Sequence, residues 1–193
     1  VRTIIEALFT YQDSAIVQTY RIPKQGTEVE IETRVYWNEK TRILKLCVPP
    51  AFGPVEFIGQ TAYGVQDLPQ NDIEGVAQKW IAARSATDAR MLTLCNDGTY
   101  GCDFRDGEIR VSLVRGPGYS SMNETPGQLI LPQDRFSPRI DQGERLFRFR
   151  MNAGEKIPRT AAIDREALAF NEKPFVLNYF PGGKGDLPPA LVT

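Results

Sequence analysis

Apolar and polar residues alternate with a period of two in several stretches of the chain, which is typical of β-strands with one buried face. The alternation is clearest in residues 27–37 and recurs in 108–113 and 147–151. We therefore predict antiparallel strands that contact a core on one side and water on the other. In the first stretch, the predicted buried side holds Val29, Ile31, Thr33, Val35 and Trp37. In the other two it holds Ile109, Val111, Leu113, Phe147, Phe149 and Met151.

Turn-forming residues separate these stretches. Asp106-Gly107 is the two-residue signal for a tight hairpin, because both positions must adopt positive φ. Residues 38–40 and 96–99 indicate two further hairpins. Residues 116–143 are rich in proline and glycine and predict a long ordered surface loop. The sequence therefore predicts an all-β fold, an antiparallel β-sandwich.

Helical signal is weak by comparison. Only residues 164–170 combine good helix formers with a candidate cap, Asp164, and they span about two turns. The glycine-rich residues 182–186 resemble a flexible turn more than a phosphate loop, since no helix pattern follows them.

Length and charge indicate one soluble globular domain spanning residues 1–193. The chain has 193 residues, of which 41% are hydrophobic, and a formal net charge of −1. A charge balance near zero argues against a nucleic-acid partner, because such partners require a clear basic excess. No stretch approaches the ~20 apolar residues that cross a bilayer, so we expect no membrane partner.

Histidine is absent from the chain. A Ser-His-Asp triad, a Cys-His pair and a His-bearing metal centre therefore cannot be built from its residues alone. The three cysteines, Cys47, Cys95 and Cys102, lack Cys-x-x-Cys spacing. We expect them to be reduced and mostly buried, as in a cytoplasmic protein.

The segment 94–103 has the most site-like composition. Asn96, Asp97 and Tyr100 are residue types that bind sugar hydroxyls and stack on pyranose rings, although Asn96 or Asp97 could equally bond its own backbone in a turn. Arg115 precedes a forced bend and could clamp a polar ligand or pair with a neighbouring carboxylate. These four residues are our candidate substrate-binding residues; we predict no catalytic or metal-binding residue.

Two other groups of residues have structural interpretations. The glutamate row Glu28, Glu30 and Glu32 has a spacing that an inverting glycosidase could use, but such a row is typical of a solvated strand face. Trp37 and Trp80 are predicted core residues.

The order and spacing of several segments resemble the β-rich portion that follows the catalytic region of glycoside hydrolase family 38 α-mannosidases. The resemblance runs from about residue 1 to residue 175 and includes the block LCNDGTYG at 94–101. The other segments that carry it are 1–9, 20–24, 33–40, 44–46, 78–81, 111–117 and 141–144.

The resemblance implies a supersandwich similar to that of mutarotase-like sugar proteins. It also implies a parent enzyme that hydrolyses α-mannosides with retention, using an aspartate nucleophile and zinc held in an N-terminal catalytic domain. This chain would then be a fragment that holds no cofactor, and its partners would be that catalytic domain and the α-mannoside. Such a fragment is expected to expose an apolar patch where its neighbour lay. The alternatives are a free-standing carbohydrate-binding module and a purely structural or oligomerising sandwich.

Overall fold

The protein is described by a computed structural model covering residues 2–70, 73–117, 139–172 and 174–176. Within these residues the chain forms twelve strands and one helix. The strands are β1 (Arg2–Tyr11), β2 (Ser14–Pro23), β3 (Val29–Trp37), β4 (Ile43–Val48), β5 (Val55–Thr61), β6 (Gly64–Asp67), β7 (Gly75–Val76), β8 (Trp80–Ser85), β9 (Arg90–Asn96), β10 (Gly101–Arg105), β11 (Glu108–Arg115) and β12 (Gly143–Glu155), and the helix is α1 (Lys156–Asn171).

The strands form two antiparallel sheets. The large sheet has the order β1-β2-β3-β12-β9-β8-β5-β6, and the small sheet has the order β4-β11-β10-β7. Inward-facing side chains of both sheets form the main apolar core; for example, Phe57 of β5 lies 5.6 Å from Phe104 of β10, measured between ring centroids. The predicted all-β antiparallel sandwich is confirmed.

Strand alternation predicts the buried faces well. On β3, every residue from Ile31 to Trp37 that was predicted inward is at most 3% exposed. The alternation is interrupted on β11, where the pairing with β4 shifts register between Ser112 and Val114. Because such a bulge lets two successive side chains face the core, Val114 is buried and Leu113, half-buried, also packs against the core. The predicted inward position of Leu113 is therefore confirmed, and Val114 is an inward residue that the alternation does not predict.

One of the three predicted hairpins is confirmed. Asp106 and Gly107 adopt φ of 53° and 82°, and Arg105 pairs with Glu108 across them. Residues 38–40 and 96–99 instead connect strands of different sheets, β3 to β4 and β9 to β10. Both hairpin predictions were wrong because turn residues signal a reversal of the chain but not whether the next strand pairs with the previous one.

The helix is longer than the sequence predicts. It covers Lys156–Asn171, and Glu155 occupies the N-cap position, so Asp164 lies within the helix and not at its cap. Ile163 and Ala167 pack with Trp80 on the outer face of the large sheet. Tertiary packing therefore stabilises helical turns of α1 that local helix propensity does not predict.

Further sequence-based expectations concern the core and the connections. Trp37 and Trp80 are buried core residues, as predicted. Cys47, Cys95 and Cys102 are free thiols, and all but Cys47 are buried. The described part of the chain contains no helix with the length and apolar character to cross a bilayer. Most of the predicted loop at 116–143, and residues 182–186, lie outside the described residues.

Candidate functional site

Three of the four candidate residues lie where the chain crosses from the large sheet to the small one. Asn96 ends β9, Asp97 follows it, and Tyr100 immediately precedes β10. Arg115 ends β11 at the same end of the small sheet but one strand nearer β4. Its side chain is exposed, and its backbone N–H donates to Asp141 Oδ2 at 3.0 Å.

The side chain of Asn96 makes three hydrogen bonds within the fold. Its Oδ1 accepts hydrogen bonds from the backbone N–H groups of Gly98 and Thr99, at 3.0 and 2.9 Å. Its Nδ2 donates to the carbonyl oxygen of Gln78 at 2.8 Å. Since Asn96 is 4% exposed, these bonds support its turn-forming interpretation.

Asp97 is tied to the charged outer face of the large sheet. Its Oδ1 accepts a hydrogen bond from the backbone N–H of Arg148 at 3.2 Å, and its Oδ2 lies 3.6 Å from the guanidinium of the same arginine. Arg148 also pairs with Glu32 at 3.7 Å. The glutamate row is thus half-buried and ion-paired: its other partners are Arg2, Arg21 and Arg150.

Tyr100 lines a groove of about 430 Å³ between the start of the small sheet and the end of α1. The tyrosine is 55% exposed, and Gln78 beside it is also exposed. The backbone N–H of Gln78 donates to the carbonyl oxygen of Gln60, but no hydrogen bond among the described residues uses the side-chain amide of Gln78, which is therefore available to a ligand. The remaining lining residues are Val76, Ala77, Lys79 and Asn171.

Asn171 links the groove to the buried crossing beneath it. Its Nδ2 donates to the carbonyl oxygens of Asn96 and Ala167, at 2.8 and 2.9 Å. At the groove margin, Lys79 Nζ forms an ion pair with Glu172 at 2.7 Å. An exposed ring flanked by amides and a charged pair is suited to hydrogen-bond and stack on a polar ring such as a sugar.

Sequence reasoning found Tyr100 but missed the residues around it. Gln78 and Lys79 are polar residues directly before the buried Trp80, so the sequence does mark them as the point where β8 begins. Asn171 carries no signal in the sequence, because only the packing of α1 brings it beside Tyr100 from 71 positions away.

The titratable groups with shifted pKa values lack the shifts that acid or thiol catalysis requires. Burial raises the pKa of Cys95 and of Cys102 to about 12, so both thiols stay protonated at neutral pH. Hydrogen bonds from Arg159 lower the pKa of Glu166, and hydrogen bonds from Arg90 lower that of Asp88. A general acid needs a raised pKa, so these two carboxylates act as ion-pair partners.

The side chains of the described residues do not form a zinc site. Histidine is absent, and no group of three or more cysteines, aspartates and glutamates in the described ranges is arranged to hold a metal ion. Zinc sites in proteins need three or four such ligands.

The fold defines the protein as an antiparallel β-sandwich domain with one helix on its outer face. A comparison with sequence models of protein families matches residues 1–128 to the glycosyl hydrolases family 38 C-terminal domain. The chain belongs to this family, which confirms the resemblance over those residues. No curated protein sequence matches the chain.

Solved structures share the fold. One is the crystal structure of a protein in glycosyl hydrolase family 38 from Enterococcus faecalis, with 19% sequence identity and a TM-score of 0.65. Another is an alpha-mannosidase from Enterococcus faecalis V583, with 18% identity and the same TM-score. Each alignment covers 81% of this chain but only 18% of the other. The chain thus corresponds to less than a fifth of these proteins.

Proposed function

We propose that the chain is the non-catalytic β-sandwich portion of a retaining α-mannosidase, acting as one domain that supports a catalytic domain of the same polypeptide. The match to a C-terminal domain of family 38 carries this proposal. The absence of histidine supports it, because the zinc and the catalytic groups would then belong to the catalytic domain. In that enzyme Asn96, Asp97, Tyr100 and Arg115 would lie toward the sugar cleft.

A domain that only supports a catalytic domain should have no hydrolase activity of its own. The 193-residue chain with added zinc is expected to show no turnover of an aryl α-mannoside, whereas the polypeptide as its gene encodes it is expected to hydrolyse the same substrate. Colorimetric release of the aryl group measures both. Turnover by the 193-residue chain, or none by the encoded polypeptide, would contradict the proposal.

A free-standing carbohydrate-binding module is the second candidate, and the exposed Tyr100 ring beside the free Gln78 amide favours it. On this hypothesis mannose oligomers bind the 193-residue chain saturably, and Tyr100→Ala weakens binding up to about tenfold, since stacking on an aromatic ring contributes about 0.5–1.5 kcal/mol. Isothermal titration calorimetry measures the affinity. Tyr63→Ala is the matched control, because Tyr63 is fully exposed in the β5–β6 turn.

The two candidates differ in where the sugar binds. If the supporting role is correct, mannose oligomers give no heat of binding with the 193-residue chain. In the encoded polypeptide, Tyr100→Ala then raises the KM for the aryl α-mannoside. If Tyr100→Ala and Tyr63→Ala had equal effects on both calorimetric binding and mannoside hydrolysis, Tyr100 would not contact the sugar under either hypothesis.

A further inference from the structure

The exposure of inward-facing side chains changes across the large sheet from β3 to β1. Residues paired on neighbouring strands form rows, and each row shows how far the small sheet covers the large one. In one row, Ile5 of β1 pairs with Tyr20 of β2, and Tyr20 pairs with Ile31 of β3. Ile5 is 49% exposed, Tyr20 is half-buried and Ile31 is 3% exposed. Among the described strands, those of the small sheet therefore cover β3 and leave the inner face of β1 open. A second row shows the same gradient: Phe9, Ile16 and Val35.

The open face adjoins the free edges of both sheets. Leu44 of β4 packs with Val35 and Trp37 of β3, whereas Phe104 of β10 lies against Phe57 of β5, so β4 is on the β1 side of the small sheet. Among the described residues, β1 pairs only with β2 and β4 pairs only with β11. Both outer edges therefore present unpaired backbone groups, which can bind another strand. We call this region the β1–β4 notch: its floor is Ile5 and Phe9, and its wall is the edge of β4.

An apolar cavity of about 720 Å³ lies at the end of β4. Val48 of β4, Leu92 of β9 and Met151 of β12 contribute to its lining. These side chains belong to or pack against the main core, so the inner face of the large sheet is also incompletely covered at this end. A segment that covered this cavity would therefore contact mainly apolar side chains.

Strand β1 also exposes two large apolar side chains on its other face, between Arg2, Glu6 and Thr10. Ile4 and Leu8, which point away from Ile5 and Phe9, are 62% and 69% exposed. A second copy of the chain that paired along β1 would continue the sheet but leave both faces of the joined strands in water. Covering both faces requires a thicker body than one strand. The solved relatives have such additional chain, because this domain spans only 18% of their length.

We infer that the β1–β4 notch is the surface on which another part of the same, longer polypeptide docks. That part adds an apolar β-strand to the edge of β4 and thereby extends the small sheet over β1 and β2. It also covers Ile4 and Leu8 on the opposite face. This inference rests on the proposed function for the existence of the longer polypeptide, and it names the surface through which the domain is held.

Hydrogen exchange monitored by mass spectrometry tests the inference. The backbone amides of β1 and β4 that point away from their partner strands are expected to exchange rapidly in the 193-residue chain. In the encoded polypeptide they are expected to exchange at least about 100-fold more slowly, because a paired amide must open before it exchanges. Amides of β9, in the middle of the large sheet, provide the reference in both proteins.

A pair of charge-introducing variants tests the apolar floor. Phe9→Lys is expected to leave the thermal midpoint of the 193-residue chain within about 2 °C, because substitutions at exposed sites change the free energy of unfolding by about 0.5 kcal/mol or less. In the encoded polypeptide, Phe9→Lys is expected to remove at least tenfold of the protection of β1. Ile157→Lys is the matched control, since Ile157 is an 85% exposed apolar residue of α1, and it is expected to change neither protein.

The results distinguish this inference from the proposed function. Fast exchange of β1 and β4 in the encoded polypeptide overturns the notch as a docking surface, even if that polypeptide hydrolyses mannosides. Slow exchange in the 193-residue chain overturns it too, and a concentration-dependent dimer would then identify a second copy as the occupant. Protection only in the encoded polypeptide supports the inference, whether or not mannosides are substrates.

Discussion

Replacing Trp80 by alanine is expected to lower the free energy of unfolding by about 3–5 kcal/mol. Trp80 is 1% exposed and packs with Ile163 and Ala167, so it holds α1 against the large sheet. Its Nε1 also donates to Asp164 Oδ1 at 2.7 Å. The substitution removes this bond and leaves a large cavity under the helix, which the packed strands cannot close.

Urea unfolding followed by far-ultraviolet circular dichroism measures the effect, and the fluorescence of Trp37, the one tryptophan that remains in the Trp80 variants, gives a second probe. Trp37 belongs to a different apolar cluster and so reports on the sandwich away from α1. Trp80→Phe is the control: it keeps most of the apolar volume, and Asp164 retains its bond from Gln60, so a loss of about 1–2 kcal/mol is expected. An alanine variant that lost less than about 1 kcal/mol would show that Trp80 does not hold the helix.

Asp103→Asn is expected to cost about 2–4 kcal/mol at neutral pH. The Asp103 side chain is 3% exposed on the outer side of β10, where it accepts hydrogen bonds from Arg110 and Lys45. The substitution leaves two cations without their shared carboxylate. Breaking such a buried pair costs about 3–5 kcal/mol, and partial exposure of both cations reduces that figure. Glu56→Gln, in the exposed pair with Arg84, is expected to cost less than about 1 kcal/mol.

The cost of Asp103→Asn should depend on pH with a defined sign. Burial raises the pKa of Asp103, but hydrogen bonds from Arg110 and Lys45 outweigh burial and bring the pKa below its ordinary 3.8. The carboxylate therefore stabilises the fold above about pH 4, and this stabilisation is lost as the pH falls through the lowered pKa. Urea unfolding at several pH values should show wild type and variant converging in acid. A difference that stayed constant from neutral pH into acid would contradict the ion-pair explanation.

Features with a local cause could be predicted from the sequence. The buried face of β3 follows from strict alternation, and the Asp106-Gly107 hairpin follows from the residues that positive φ demands. The β11 bulge could not be predicted, because the extra residue is defined by its pairing with β4. The first half of α1 was missed for a similar reason, since its stability comes from contacts with the large sheet.

The candidate site shows the same limit. Tyr100 has a composition that suggests sugar binding, and it does lie in a groove with a free amide beside it. Asn96 is also a residue type that can bind sugar hydroxyls, yet its side chain makes three hydrogen bonds within the fold. Composition alone could not separate the two, because the partners of a polar group are decided by residues that fold beside it.

The sequence by itself determined that this protein is an antiparallel β-sandwich of the family 38 C-terminal type and that it contains no histidine. Periodicity, turn chemistry and motif order are properties of neighbouring residues, so they can be read along the chain. Only the tertiary structure decided which strands share a sheet, that Asn171 lies beside Tyr100, and that the small sheet ends before it covers β1. These features depend on contacts between distant residues, which are selected by the packing of the whole domain.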